Sequence, residues 1–239
     1  MSPHTFDVAI VGAGPAGSAL ALRLARAGAR VALIERQRER AFRVGETLPP
    51  AIAPRLQRLG VWDRFMDSHP CASDHMRSAW GSSELQSQSF IAHPYQNGWQ
   101  IDRARFDTML VRAAVEAGAA LHAGCRVRQF DGDGVVGWRL CAAGGEAMLH
   151  ARWLVDAGGR RARIAAQLGI ERIRIDDLIG VALLFACDDG RGGASGGGAM
   201  IEAVGDGWWY SARLPDGAEL AVFMTDADHF QRDGSVPVE

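Results

Sequence analysis

The N-terminal segment alternates between apolar and glycine-rich stretches in an order typical of a nucleotide-binding βαβ unit. The apolar run at residues 8–11 predicts a strand buried on both faces, and the glycine-rich stretch 12–17 interrupts it. Residues 18–27 resume with helical spacing, and residues 29–34 form a second apolar run that ends at Glu35. This order predicts a strand, a tight turn, a helix and a second strand that ends in an acid.

The glycines of the turn have the spacing of a phosphate cradle. Gly12 permits the tight turn, Gly14 lets the backbone approach a pyrophosphate, and Gly17 lets the helix pack on the strand. Pro15 and Ala16 lie at the start of the helix, whose N-terminal N–H groups face an anion. We therefore predict that these five residues bind the pyrophosphate of a nucleotide.

The acid that ends the second strand lies where an acid commonly binds the ribose of a nucleotide. Glu35 lies eighteen residues beyond Gly17, and its carboxylate can accept hydrogen bonds from both ribose hydroxyls but would repel a 2′-phosphate there. Arg36 follows it and joins the candidate cofactor-binding residues. This pattern alone does not separate FAD from NAD.

Further along the chain, the hydrophobic pattern predicts two more helices and several antiparallel strands. The first helix carries Ile52, Leu56 and Leu59. The apolar face of the second consists of Phe106, Met109, Leu110 and Ala113, with Asp102 as a candidate N-cap. Alternating residues around glycine turns predict a meander at residues 125–155. Shorter strands are predicted at 76–80, 85–90 and 207–210, whereas residues 188–200 predict a flexible glycine-rich turn.

Composition limits the kinds of ligand that the chain can bind. The sequence is 48% hydrophobic and 23% charged, and 239 residues can form one large or two small globular domains. All 26 basic residues are arginine, and a net charge of −2 without a basic block predicts no nucleic-acid partner. The cysteines and histidines lack metal-ligand spacing, and no run approaches the ~20 apolar residues of a membrane span. We expect no metal, no membrane span and a cytoplasmic location.

The combined motifs resemble a known flavoprotein family. The glycine turn, the segment FRVGETLPP, the segment DRARFDTML and the segment VDAGG resemble the FAD-dependent monooxygenases of the p-hydroxybenzoate hydroxylase type. The likeness is greatest to the branch of tryptophan halogenases and geranylgeranyl reductases. The resemblance implies FAD as the cofactor and NAD(P)H as its reductant.

The resemblance also implies roles for residues outside the first turn. Arg103 would reach the flavin, and Asp156 and Gly158 would help to hold the pyrophosphate. The loop of the candidates Arg43, Glu46 and Thr47 would pass beside the flavin.

The implied fold class is α/β (α+β overall), with a Rossmann-like FAD-binding domain interleaved with an antiparallel substrate-binding sheet. We assign residues 1–70 and 99–170 to the FAD-binding domain, and residues 71–98 and 171–239 to an incomplete substrate-binding sheet.

One motif of the family is not found. Relatives carry a third FAD motif of the form G-D-A-A before a helix, but Gly205 and Asp206 precede a predicted strand instead. The resemblance therefore covers about the first two thirds of the family fold. We expect a partner chain or a missing C-terminal segment to complete the flavin pocket, which makes the chain either a fragment or a natural short form.

The residues favour hydroxylation among the reactions of this family. Flavin halogenases use an essential lysine, and the chain has none. The resemblance implies a monooxygenase that hydroxylates an aromatic, small-molecule or tryptophan-like substrate through a flavin hydroperoxide, with no catalytic side chain identified. A geranylgeranyl-type reductase and a non-catalytic nucleotide-binding module are the alternatives.

Overall fold

Secondary structure elements were located in a computed structural model that describes residues 4–38, 42–133, 137–143, 148–186 and 198–229. The strands are β1 (His4–Val11), β2 (Val31–Glu35), β3 (Thr47–Leu48), β4 (Cys71–Ser73), β5 (His75–Ala79), β6 (Gln86–Ser89), β7 (Gly98–Gln100), β8 (Ala120–Ala123), β9 (Arg126–Asp133), β10 (Gly137–Ala143), β11 (Met148–Asp156), β12 (Leu178–Phe185), β13 (Met200–Val204), β14 (Gly207–Arg213) and β15 (Glu219–Asp226). The helices are α1 (Pro15–Arg26), α2 (Ile52–Arg58), α3 (Trp62–Asp67), α4 (Arg103–Glu116) and α5 (Arg163–Gln167). The chain divides into two compact units, each built from two separate segments.

The first unit, Met1–Phe42 with Ala104–Arg172, is built around a six-stranded sheet. Its strand order is β8-β2-β1-β11-β10-β9. Strand β1 is parallel to β2 and β11, and β2 is parallel to β8, whereas β9, β10 and β11 form the predicted antiparallel meander. The predicted βαβ order and the α/β class are therefore confirmed.

Burial explains why the central strands of this sheet are apolar throughout. Ala9, Ile10 and Leu33 are completely buried, as expected for parallel strands covered on both faces. Leu140 and Leu149 of the meander pack into the same core as Ala9. The core thus fixes the carboxyl ends of β1, β2 and β11 side by side, which is the edge where open α/β sheets bind ligands.

The second unit, Arg43–Arg103 with Ile173–Glu239, contains two sheets. A six-stranded sheet has the order β12-β15-β14-β13-β5-β6, and all of its pairs are antiparallel except β5 with β13. A three-stranded sheet has the order β3-β7-β4. Aromatic rings of Trp62, Phe65 and Trp99 pack together with centroids 5.6–5.8 Å apart. The mainly antiparallel sheet agrees with the expected fold class.

The compact units differ from the predicted division at three places. Residues 43–70 and 99–103 were predicted in the FAD-binding domain, but they lie in the second unit, whereas residues 171–172 were predicted in the substrate-binding sheet and lie in the first. The reason is strand pairing, because β3 and β4 both pair with β7 and this sheet joins residues 47–48 to residues 98–100. The binding roles assigned to the two domains stay predictions.

Further predictions from the sequence concern two glycine-containing turns, a membrane span and a metal site. Gly205 and Asp206 form a turn that leads into β14, a strand as predicted and not a helix. Residues 188–197 of the predicted flexible turn lie outside the described residues. Within the described ranges, no helix is long and apolar enough to cross a membrane. The same ranges hold no group of three or more metal-ligating side chains.

Candidate functional site

The turn after β1 requires glycine at its first position. Gly12 donates its N–H to the carbonyl oxygen of Ile34 at 2.8 Å and has a φ of +110°. A Cβ added to Gly12 would lie 2.3 Å from the carbonyl oxygen of Ala157. Both the conformation and the close backbone therefore exclude a side chain here.

Gly17 lets helix α1 pack directly on this turn. A Cβ at Gly17 would lie 1.9 Å from the carbonyl oxygen of Gly12. The next residue, Ser18, is completely buried, and its hydroxyl donates to the carbonyl oxygen of Ala13 at 3.0 Å. Sequence reasoning missed Ser18, although a polar residue on the buried face of the first helical turn is a signal for such a contact.

Gly14 differs from the other two glycines because it faces open space. It is the N-cap of α1 with an extended backbone, it has no side chain that could cap the helix, and Pro15 starts the helix. A Cβ on Gly14 would have no atom within 4 Å, and the first turn of α1, which includes Ala16, contains no acid. The N-terminal N–H groups of α1 thus adjoin a space that suits an anion.

Glu35 is held against the glycine turn by the backbone. Its Oε2 accepts the N–H of Ala13 at 3.0 Å, and its Oε1 accepts the N–H of Gln37 at 3.0 Å. A carboxylate oxygen has further lone-pair capacity, so each oxygen can still accept a hydroxyl donor. The exposed Arg36 follows at the end of β2.

Asp156 organises the loop that adjoins the glycine turn from β11. Its Oδ1 accepts the N–H of Gly158 at 2.8 Å, and its Oδ2 accepts those of Ile164 and Ala165 at 3.0 and 3.1 Å. The carboxylate therefore caps the start of α5 and fixes the loop backbone. Its contribution to the site in this structure is to position Gly158.

In the second unit, Arg103 fixes the loop before β3. Its Nη1 donates to the carbonyl oxygens of Val44 and Gly45 at 3.3 and 3.4 Å. Gly45 has a φ of +120°, and a Cβ there would lie 2.4 Å from that same Nη1. The glycine is thus needed for the arginine to reach the loop, on which Arg43 is half-buried.

Glu46 on this loop is a buried acid. It is 1% exposed, and within the described ranges neither carboxylate oxygen has a hydrogen-bond partner. Burial raises the pKa of Glu46, although nearby backbone N–H groups and the charge of Arg103 partly oppose the rise. The loop therefore holds a carboxyl group for which ionisation is costly.

Thr47 connects the short sheet to the large sheet of the same unit. Its Oγ1 lies 2.5 Å from the hydroxyl oxygen of Tyr210 on β14 and donates to Oε1 of Gln100 on β7 at 2.7 Å. Burial raises the pKa of Tyr210 to about 12, and the negative charge of Glu46 adds to the rise. The sequence predicted a strand around Tyr210 but neither its contact with Thr47 nor that of Gln100, because these contacts are distant in sequence.

The predicted site residues thus fall into two groups, one in each unit. The first unit holds the turn residues and the acids with their neighbours: Gly12, Gly14, Pro15, Ala16, Gly17, Glu35, Arg36, Asp156 and Gly158. The second unit holds the loop residues and the arginine that fixes them: Arg43, Glu46, Thr47 and Arg103. Within the first group, the ends of three strands bring together residues that are far apart in sequence.

Comparison with known proteins identifies relatives along almost the whole chain. LodB, a protein of Marinomonas mediterranea whose name describes an FAD-dependent oxidoreductase, is 32% identical over 94% of this chain and 61% of its own length. The myxobacterial chondrochloren halogenase CndH is 28% identical, with a TM-score of 0.79 over 97% of this chain and 56% of its own. The peptidyl tryptophan dihydroxylase QhpG is 26% identical, with a TM-score of 0.70 over 98% of this chain and 48% of its own.

These matches cover this chain more completely than they cover the relatives. The chain spans about half to three fifths of the length of these three proteins. The family described as "FAD binding domain" matches residues 5–185, which include the glycine turn, Glu35 and Asp156. The resemblance inferred from the motifs and the predicted cofactor FAD are therefore confirmed, and the chain belongs to the FAD binding domain family.

Proposed function

We propose that this chain is the FAD-binding part of a monooxygenase that hydroxylates an indole or another electron-rich aromatic group. The observation that carries the proposal is the match to a tryptophan dihydroxylase over nearly the whole chain, in a sequence without lysine. The substrate would be a tryptophan-like group, free or within a polypeptide.

The residues of the first unit fit FAD. The space beside Gly14 and the uncapped N-terminus of α1 suit its pyrophosphate, since a helix N-terminus offers both N–H donors and a favourable dipole. Glu35 would accept hydrogen bonds from the adenosine ribose, and Asp156 would hold the neighbouring loop in place. When bound, FAD supplies the redox chemistry that activates oxygen.

The second group of residues is proposed to control the surroundings of the flavin. Arg103 holds the backbone at Val44 and Gly45, which restricts the position of Glu46. A buried carboxyl group with a raised pKa adds less negative charge to its surroundings than an exposed one. We propose that Arg43, Glu46 and Thr47 orient the isoalloxazine ring and exclude water from it.

We propose hydroxylation and not halogenation because the chain contains no lysine. Halogenases are among the relatives, but none of the 239 residues offers the lysine amine that flavin halogenases use. Positioning of an aromatic substrate and exclusion of water need no such amine. Tyr210 and Trp208 are proposed as parts of the surface that positions the substrate.

A turnover experiment with competing products tests this proposal. The FAD-loaded chain would be incubated with oxygen, NADH or NADPH, bromide, and either free tryptophan or a tryptophan-containing peptide. We expect a product that gains oxygen atoms and no bromine. A brominated product would contradict the proposal. So would reduction of geranylgeranyl diphosphate in a parallel incubation, if neither tryptophan substrate is hydroxylated.

Two further predictions accompany the proposed function. The reductant would be NAD(P)H, and a partner chain or a further segment would complete the flavin pocket, since the chain spans only part of its relatives. A chain that binds FAD but remains inactive with every reductant, including chemically reduced flavin, would support the alternative of a non-catalytic module. A cytoplasmic location remains an expectation from the sequence.

A further inference from the structure

Strand β6 forms an open edge of the large sheet in the second unit. Within the described ranges, this strand (Gln86–Ser89) pairs only with β5 and stands last in the strand order. All four of its residues are exposed, and none of them is charged or a proline. Proteins usually protect such an edge with charges, prolines or bulges, because an open edge can pair with another chain. The backbone of β6 is therefore available for pairing.

The hydrogen-bond pattern of the hairpin directs two residues of β6 toward the open side. Phe90, just after the strand, donates its N–H to the carbonyl oxygen of Asp74 at 2.7 Å. Hydrogen-bonded and non-hydrogen-bonded pairs alternate in an antiparallel ladder, so Ser87 and Ser89 belong to non-hydrogen-bonded pairs. Their N–H and C=O groups therefore point away from β5, with the spacing at which a further strand can pair.

Exposed apolar side chains flank this edge. Trp80 follows β5 and Leu85 precedes β6, so both lie at one end of the hairpin, and Ile91 lies at the other. Their exposed fractions are 58%, 52% and 86%. The Trp80 ring packs edge-on against Trp208 of β14, with centroids 6.1 Å apart. The edge is thus continuous with the surface that is proposed to position the substrate.

The register of the sheet aligns β6 with Tyr210. Gln86 pairs with Ser78 of β5. Ser78 pairs with Ile201 of β13, which in turn pairs with Tyr210 of β14. Since neighbouring strands lie about 4.8 Å apart, a strand added beyond β6 would lie about 19 Å from β14. An extended chain rises about 3.3 Å per residue, so a side chain about six positions from the added strand can reach β14.

The opposite edge strand, β12, has a different character. Its sequence LIGVALLF is apolar along the whole length, which is typical of a strand that is covered on both faces. The residues of β6 are serine and glutamine, which are ordinarily solvated. Strand β6 is therefore the edge that suits reversible pairing.

We propose that β6 binds an extended segment of a polypeptide substrate by strand addition, about six residues from the tryptophan that is hydroxylated. An extended polypeptide offers the alternating N–H and C=O groups that pair with Ser87 and Ser89. The relative QhpG is a peptidyl tryptophan dihydroxylase. The inference rests on the proposed function and narrows it, since it selects a tryptophan within a polypeptide over the free amino acid.

Two peptides test the proposal by calorimetry with the purified chain. The first carries the docking segment Thr-Val-Thr-Val-Thr, then six glycine and serine residues, then one tryptophan. The second is the same peptide with all five backbone nitrogens of the docking segment methylated. We expect the first to bind at least tenfold more tightly, because methylation removes the N–H donors of the added strand and leaves its side chains unchanged.

Two substitutions at one position separate backbone pairing from side-chain contact. Ser87→Pro removes an N–H that β5 does not use, and edge strands tolerate proline at such a position. It should weaken the unmethylated peptide at least tenfold, whereas Ser87→Ala retains the N–H and should leave the affinity unchanged. Urea unfolding of both variants is measured in parallel. If Ser87→Pro lowers stability, the two peptides still decide, because they require no change in the protein.

Equal affinities for the two peptides, or equal effects of the two variants, would overturn the proposal. So would a dimer of the unsubstituted chain that Ser87→Pro dissociates, since a second copy would then occupy the edge. Binding of the unmethylated peptide without oxygen incorporation by the FAD-loaded chain would contradict the proposed function and leave the docking strand in place. Hydroxylation of free tryptophan without binding of either peptide would contradict only this inference.

Discussion

The substitution Gly14→Ala should separate FAD binding from folding. Gly14 has a φ of −69°, which alanine adopts easily, and a Cβ there meets no atom within 4 Å. Loss of the preferred glycine N-cap and restriction of the unfolded chain have opposite effects of similar size, so the free energy of unfolding should change by only about 0.5 kcal/mol. The added methyl group would nevertheless occupy the space assigned to the pyrophosphate.

The nearby substitution Gly17→Ala should instead act mainly on stability. Its Cβ would lie 1.9 Å from the carbonyl oxygen of Gly12, a contact between two backbone segments that no rotamer change can relieve. Overpacking of this kind costs about 1–3 kcal/mol. Gly17→Ala should therefore lower the free energy of unfolding measurably, and any loss of FAD binding would accompany that destabilisation.

The assay combines urea denaturation with titration of FAD for each variant. Gly14→Ala should bind FAD at least tenfold more weakly, a difference of about 1.4 kcal/mol or more, while its unfolding curve stays close to that of the unsubstituted chain. Gly205→Ala is the control, because Gly205 also faces open space but lies in the turn before β14. Unchanged FAD affinity in Gly14→Ala would refute the assignment of this space to the pyrophosphate.

Three further substitutions test the local chemistry. Because burial raises the pKa of Glu46 above its ordinary value of 4.5, the folded state retains a proton that the unfolded state loses. The free energy of unfolding should then fall as the pH rises from about 4.5 through the folded pKa. In urea titrations between pH 4 and 8, Glu46→Gln should flatten this fall. If the variant and the unsubstituted chain showed the same pH dependence, burial of Glu46 would not be its cause. Tyr210→Phe removes the hydrogen bond to Thr47 and should cost about 1 kcal/mol in unfolding free energy, whereas the exposed control Tyr95→Phe should cost little; equal costs would exclude a stabilising contact. Asp156→Ala leaves three backbone N–H groups without their acceptor and should cost about 2 kcal/mol, with Asp156→Asn in between; an unchanged melting curve would show that this carboxylate does not fix the loop.

The first unit was predictable because its signals are local. A buried strand needs an apolar run, and the crowded backbone at Gly12 and Gly17 excludes every side chain, so both constraints can be recognised in the sequence. Glu35 follows from the fixed length of the intervening helix and strand. The family resemblance added Asp156, but only the structure shows that its oxygens accept backbone N–H groups of the following loop.

The second unit was less predictable because its contacts are distant in sequence. Periodicity predicts that Tyr210 lies on a strand, but it cannot show that its hydroxyl contacts Thr47, a residue 163 positions away. The burial of Glu46 could not be predicted either, since an acid on a loop is ordinarily exposed. No local pattern indicated that β3 pairs with β7, so the start of the second compact unit at Arg43 could not be read from the sequence.

Titration of the purified chain with FAD and with FMN tests the central claim most directly. The described first unit offers a pyrophosphate space and a ribose acceptor, and FMN lacks the adenosine and the second phosphate that would use them. We predict that FAD binds, and that binding quenches the flavin fluorescence or shifts the flavin absorbance bands. FMN should bind at least tenfold more weakly. Equal affinities for the two flavins, or no binding of FAD, would contradict the assignment of this site.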